Sequence, residues 1–167
     1  MRNIKYIIIH CTATSQKATL ESIKDYWRKT LGWNIGGYHY LIFPNGKIEK
    51  LYPLSQITNG VKGYNSESIH ISYVGGIDSN GKAIDNRTPS QKESILEVLG
   101  LVYKELKQYQ EVDSILIRGH RDFSPDKNGN NIIDPWERIK ECPCFDVVKE
   151  YGWLQGSKAL NHKQLIY

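Results

Sequence analysis

The stretch "IKYIIIHCTA" (residues 4–13) sets the architecture. Its β-branched run has the composition of a buried strand, and the turn-forming "TSQK" at 14–17 ends it. Working outward, Thr19 caps "LESIKDYWRKTLGW" (20–33), where Leu20, Ile23, Tyr26, Trp27 and Leu31 recur at helical spacing and Gly32 closes the helix. "GGYHYLIFPNGKIEKLYPL" (36–54) carries alternating strand residues around Asn45-Gly46, the strongest short hairpin signal. "SIHISYVGG" (68–76) alternates as a further strand and stops at paired glycines. Thr88-Pro89-Ser90-Gln91 is a capping box with proline at the first helical position, opening the helix "SQKESILEVLGLVYKELKQY" (90–109). "SILIRGH" (114–120) supplies a last strand and "CFDVVKEYGWL" (144–154) a closing helix. There is no internal repeat. The order predicts one α/β domain with a central mixed β-sheet flanked by helices, spanning 1–154, and a C-terminal extension over 155–167.

Length and composition narrow the function. A chain of 167 residues can bury a core without staples, and 40% hydrophobic with 24% charged residues is ordinary for a globular protein. Three cysteines, an odd number in no regular framework, argue against a disulfide-stapled secreted module and for synthesis in a reducing compartment. The apolar run at the start is too short for a signal peptide or a membrane span, which predicts cytoplasmic synthesis, no membrane insertion and release by some other agent. A net charge of +4 mildly favours anionic partners. The basic residues are scattered, so nucleic acid is not expected as a partner. A compact basic domain of this size is expected to be a monomer.

Two cysteines one residue apart in "IKECPCFD" (139–146) need a role other than a mutual disulfide, which that spacing would strain. His10 ends the first strand and His120 the last, both before turn-prone residues where strand ends meet solvent. Two imidazoles at neighbouring strand ends with Cys142 as thiolate would make a His/His/Cys set suited to zinc, with a fourth position left for water. Taken alone, each residue reads more readily as a satisfied core histidine or a buried cysteine, and only the three together bring the metal reading level with that one.

Six motifs in order resemble the type 2 N-acetylmuramoyl-L-alanine amidases, a zinc-dependent family that includes bacteriophage amidase lysozymes and peptidoglycan recognition proteins. They are "IIIHCTAT", "GWNIGGYHYLIFPNGKI", "KGYNSESIHISYVGGID", "TPSQKESI", "IRGHRD" and "KECPCFD". The resemblance implies hydrolysis of the amide between N-acetylmuramic acid and L-alanine in bacterial peptidoglycan, by a phage or prophage lysis enzyme that acts on the cell wall after release. It implies one Zn2+ held by His10, His120 and Cys142, with Tyr38 and Lys140 catalytic. Cys144 then becomes a packed free thiol, and Cys11 points away from the site because strand neighbours face opposite sides. His39 should likewise point opposite to Tyr38, while His70 and His162 have no motif support for a metal role. Lys62, Tyr64 and Asn65 are expected to line a groove for the stem peptide.

The chain departs from the pattern twice. Asn59 and Gly60 in "ITNGVKGYN" stand where related enzymes often offer a histidine near the cleft. The segment between His120 and Cys142 is longer than in compact phage enzymes, and Asp126, Asn128, Asn130, Ile132, Asp134 and Glu137 fall at the spacing of a weak calcium (Ca2+) loop, with Asn131 where a sharp-turn glycine belongs. Two other functions compete with hydrolysis: a non-catalytic peptidoglycan-binding module, and a regulator that binds a polymerase as some phage lysozymes do.

Overall fold

The computed structural model describes residues 1–155. All but the first residue of the expected 155–167 extension lies outside the described residues, as does His162. The opening run forms β1 (Tyr6–Cys11), and Ile7, Ile8 and Ile9 are wholly buried. A β-branched side chain loses little rotamer freedom in a strand, and each such burial contributes roughly 2 kcal/mol. The hairpin at Asn45-Gly46 gives β2 (Tyr40–Ile42) and β3 (Ile48–Lys50), with Gly46 at φ +85°. Next come β4 (Ser68–Tyr73) and β5 (Leu116–Gly119).

The strands line up as β3-β2-β4-β1-β5, parallel except for the antiparallel β2–β3 pair. This is the mixed sheet expected from the sequence. β1 and β4 are interior strands covered on both faces, so every residue of β4 is buried even though its sequence alternates.

One face carries Ile7, Ile9, Cys11, Ile69, Ile71 and Tyr73 against the long helix α2 (Pro89–Leu106) and the short α3 (Val147–Tyr151). The capping box holds α2 as expected: Thr88 accepts from the Gln91 amide at 3.1 Å, while Gln91 reaches back to the Thr88 amide. Gln91 is fully buried and also donates to the Ile42 and Val74 carbonyls, tying the helix start to two strands.

The other face carries Leu41 and Val74 beneath α1 (Leu20–Asp25). The helix expected over 20–33 is shorter than its pattern: after Asp25 it widens into a π-type turn at Tyr26–Thr30 and ends before Gly32 at φ +66°. The widened turn lays the Trp27 indole on the backbone of Gly36, where a β-carbon would lie 2.3 Å from the ring. The "GG" pair before Tyr38 is therefore a seat for that indole, whose ring meets Tyr38 edge-on at 5.4 Å.

Candidate functional site

β1 and β5 are adjacent parallel strands, so their C-terminal ends bring His10 and His120 together. His10 is buried and His120 half-buried, with their Nδ1 atoms 3.2 Å apart. Cys142 arrives from the long connection, its Sγ 3.9 Å from His10 Nδ1. The returning loop is latched beside β5: the Arg121 amide donates to the Cys142 carbonyl at 2.8 Å, and Pro143 closes on Gly119, where a β-carbon would lie 2.8 Å from its ring. The ligating atoms of His10, His120 and Cys142 all lie within 4.8 Å of one another, and among the described residues this is the one His/Cys/Asp/Glu group with the geometry to hold a metal ion.

Burial, reinforced by the neighbouring histidines and Lys140, pushes His10 well below the usual imidazole range. Burial and then Lys140 lower His120 to about 4. Both rings are therefore neutral at pH 7 and offer nitrogen lone pairs. The Cys142 sulfur accepts a hydrogen bond from the Cys11 amide at 3.3 Å.

Two adjoining cavities of about 460 and 630 Å³ share Trp33, Asn59, Gly60, His120 and Lys140 as walls. They form a cleft with His120 and the exposed Lys140 at the junction. Tyr38 lines the larger cavity, its ring edge-on to Trp27 at 5.4 Å and tilted against His10 at 5.3 Å. Burial, and then the nearby Cys142, push its phenol upward, so Tyr38 stays protonated and able to donate.

Lys62 and Asn65 line the smaller cavity, although the Asn65 side chain also accepts the Val61 amide at 2.7 Å and so holds the loop. Tyr64 is not part of that lining; it packs on Tyr6 and on Phe123, with ring centroids 5.9 and 4.5 Å away. Trp33 is a wall of both cavities, a place that nothing local in the sequence marks, since it only closes the helical pattern of 20–33. Cys11 faces the core and meets Cys144 sulfur to sulfur at 3.8 Å, both thiols free. Burial of His39 away from the cleft also follows the expected alternation with Tyr38.

The 126–137 loop turns as its spacing predicts. Asn131 takes the left-handed conformation at φ +64° that asparagine tolerates in place of glycine. Its carboxylates are used on the loop's own amides: Asp126 accepts from Gly129 and Asn131, and the buried Glu137 from Lys127, Asn128 and Asp134. Calcium is not required to explain that shape.

Asn59 and Gly60 lie in a loop beside β4. The ring of His70, on β4, fills the space above Gly60, and its Nδ1 is 3.0 Å from His10 Nε2.

A mixed α/β sheet with two histidines at the ends of adjacent parallel strands and a cysteine from the returning loop defines the class, the type 2 amidase and peptidoglycan-recognition superfamily. The profile of the family described as N-acetylmuramoyl-L-alanine amidase matches residues 1–143, and the chain belongs to that family. It is 34% identical to the endolysin of Enterobacteria phage T3 over 143 residues, covering 84% of this chain and 81% of that one. Among solved structures, the endolysin of Thermus scotoductus bacteriophage Ph2119 is similar at 26% identity and TM-score 0.63, covering 91% of this chain and 87% of that one. Drosophila peptidoglycan recognition protein SA shares the fold at 15% identity and TM-score 0.65, over 91% of this chain and 81% of that one.

Proposed function

We propose that the 1–154 domain is a zinc-dependent hydrolase of the amide joining the lactyl group of N-acetylmuramic acid to L-alanine, working as a phage or prophage lysis enzyme on the cell wall after release. The observation that carries this reading is the convergence of His10, His120 and Cys142 at the cleft that Tyr38 and Lys140 also line. The donor set fits zinc: two neutral imidazoles and one thiolate match its preference for nitrogen and sulfur and leave a fourth tetrahedral position open. Zinc held there would supply Lewis acidity toward the scissile carbonyl and toward water, which it brings close to neutral pKa.

The chain's own residues do the rest. The Lys140 ammonium stands at the junction of the two cavities, where it can meet the carbonyl oxygen as negative charge builds on it. The Tyr38 hydroxyl, kept protonated, can donate to the same oxygen or orient the attacking water. A preorganised donor of this kind is worth roughly 3–4 kcal/mol at the transition state. Lys62 and Asn65, along the smaller cavity, would contact the stem peptide.

The test is zinc content together with release of stem peptides from purified peptidoglycan, without new reducing groups, for the wild type, Cys142→Ser and Lys140→Ala. One zinc per chain is expected in the wild type and in Lys140→Ala, and peptide release in the wild type alone. Zinc without peptide release would leave a binding module as the better reading, and a zinc-free protein would overturn the ligand assignment.

A further inference from the structure

His70 is a fully buried polar side chain that the proposed chemistry leaves without a task. It sits on β4 with Ile8 as its Cα partner on β1, which places it on the same sheet face as His10. Its ring is fixed from two sides. The His70 amide donates to His39 Nδ1 at 3.0 Å, and the two rings stack with centroids 6.0 Å apart at 20°. Below it a β-carbon at position 60 would fall 2.2 Å from its Nδ1, so only glycine leaves room for the imidazole.

Proton placement along this row follows from one requirement. His10 turns Nδ1 toward His120 and Cys142, so a metal-ligating His10 carries its proton on Nε2. That N–H lies 3.0 Å from His70 Nδ1, which must then be the acceptor. The His70 proton is left on Nε2, a buried atom with no protein partner among the described residues. An unsatisfied buried donor costs free energy, and it is tolerated here at the end of a row whose other end faces the metal position.

We infer that His70 is a positioning residue: its Nδ1 accepts the His10 Nε2–H and holds His10 in the tautomer and ring orientation that present Nδ1 to the metal. Metal-ligating histidines are oriented through their second nitrogen, most often by a carboxylate, a backbone carbonyl or water. Here a neutral imidazole takes that part, with Gly60 as its seat. The inference rests on the zinc reading of His10, His120 and Cys142.

The experiment measures zinc dissociation constants by competition with a chromophoric chelator for the wild type, His70→Leu and His70→Asn, with the folded fraction of each from circular dichroism. His70→Leu removes the acceptor at similar bulk and is expected to weaken zinc roughly 10–100-fold. His70→Asn places Oδ1 near the former Nδ1 and is expected to recover most of that loss. Both variants melting lower with unchanged zinc affinity would make His70 a packing residue and overturn the inference.

Should His70→Leu not fold, the wild type alone decides. Long-range nitrogen–proton spectra of its imidazoles should show His10 and His70 both protonated on Nε2, and a His70 proton on Nδ1 in the zinc-loaded protein would refute the assignment. A wild type that binds no zinc overturns the zinc reading and this inference together. Zinc binding indifferent to His70 overturns this inference alone.

Discussion

Gly60→Ala adds one methyl group at the most confined point of the site. The new carbon would lie 2.2 Å from His70 Nδ1, 2.4 Å from Cγ and 2.5 Å from Cε1, whereas non-bonded heavy atoms need roughly 3.5 Å. The ring must retreat by about 1 Å, yet it is stacked on His39 and its own amide is bound to His39. Retreat also stretches the 3.0 Å contact with His10 past hydrogen-bonding range. Overpacking costs about 1–3 kcal/mol and a stranded buried N–H about 1–3 more, which places the loss near 3 kcal/mol after partial relaxation. For a domain of this size that lowers Tm by roughly 6–12 °C. Differential scanning calorimetry of the metal-free protein reads the stability loss, and chelator competition reads zinc, which should weaken in parallel with His70→Leu. A Gly60→Ala protein melting within about 2 °C of the wild type with unchanged zinc affinity would refute the packing argument, since it would mean the ring moves freely.

Burial lowers His39 to about 4, so the unfolded chain, with an imidazole near 6.5, binds a proton that the folded chain refuses between those values. The stability this contributes is complete above pH 6.5 and is lost as pH falls toward 4, amounting to about 3 kcal/mol for a fully buried ring; with His10, His70 and His120 lowered in the same direction, urea unfolding of the metal-free protein should lose at least that much between pH 7 and pH 4.5, and equal midpoints would contradict it. Arg87→Met should destabilise by about 2–3 kcal/mol in the same assay, because the Arg87 side chain is 1% exposed, pairs with Asp85 and Glu150, and stacks 3.2 Å from the Phe145 ring centre. Cys11, pushed up to about 12 chiefly by its contact with Cys142, should resist an aromatic disulfide reagent at pH 8 in the native protein and react fully in denaturant. Lys140→Ala should lower kcat roughly 10²–10³-fold with little change in zinc affinity, read by peptide release and chelator competition; unchanged turnover would remove Lys140 from catalysis.

Elements whose signals are local were legible in the chain. The isoleucine run of β1, the Thr88 capping box, the Asn45-Gly46 hairpin and the Gly32 stop each depend on residues within one turn or strand, and each stands where its pattern predicts. His10, His120 and Cys142 were identifiable because strand ends and a motif marked them, and the sheet brings them within 4.8 Å. Other features answer to neighbours distant in sequence. The π-type turn at Tyr26–Thr30 is shaped by where Trp27 must lie on Gly36, and Tyr64 goes to Phe123, 59 residues on.

His70 gives the sharpest division. By itself the sequence determined a strand with a histidine in it and a loop with a glycine in it, because hydrophobic alternation and turn propensity act over a few residues. Only the tertiary structure decided that the strand carrying His70 lies beside β1, that its imidazole reaches His10 Nε2, and that Gly60 sits beneath the ring. The reason is physical: strand pairing order and the exclusion of one side chain by another are properties of assembled surfaces, with no counterpart in local periodicity.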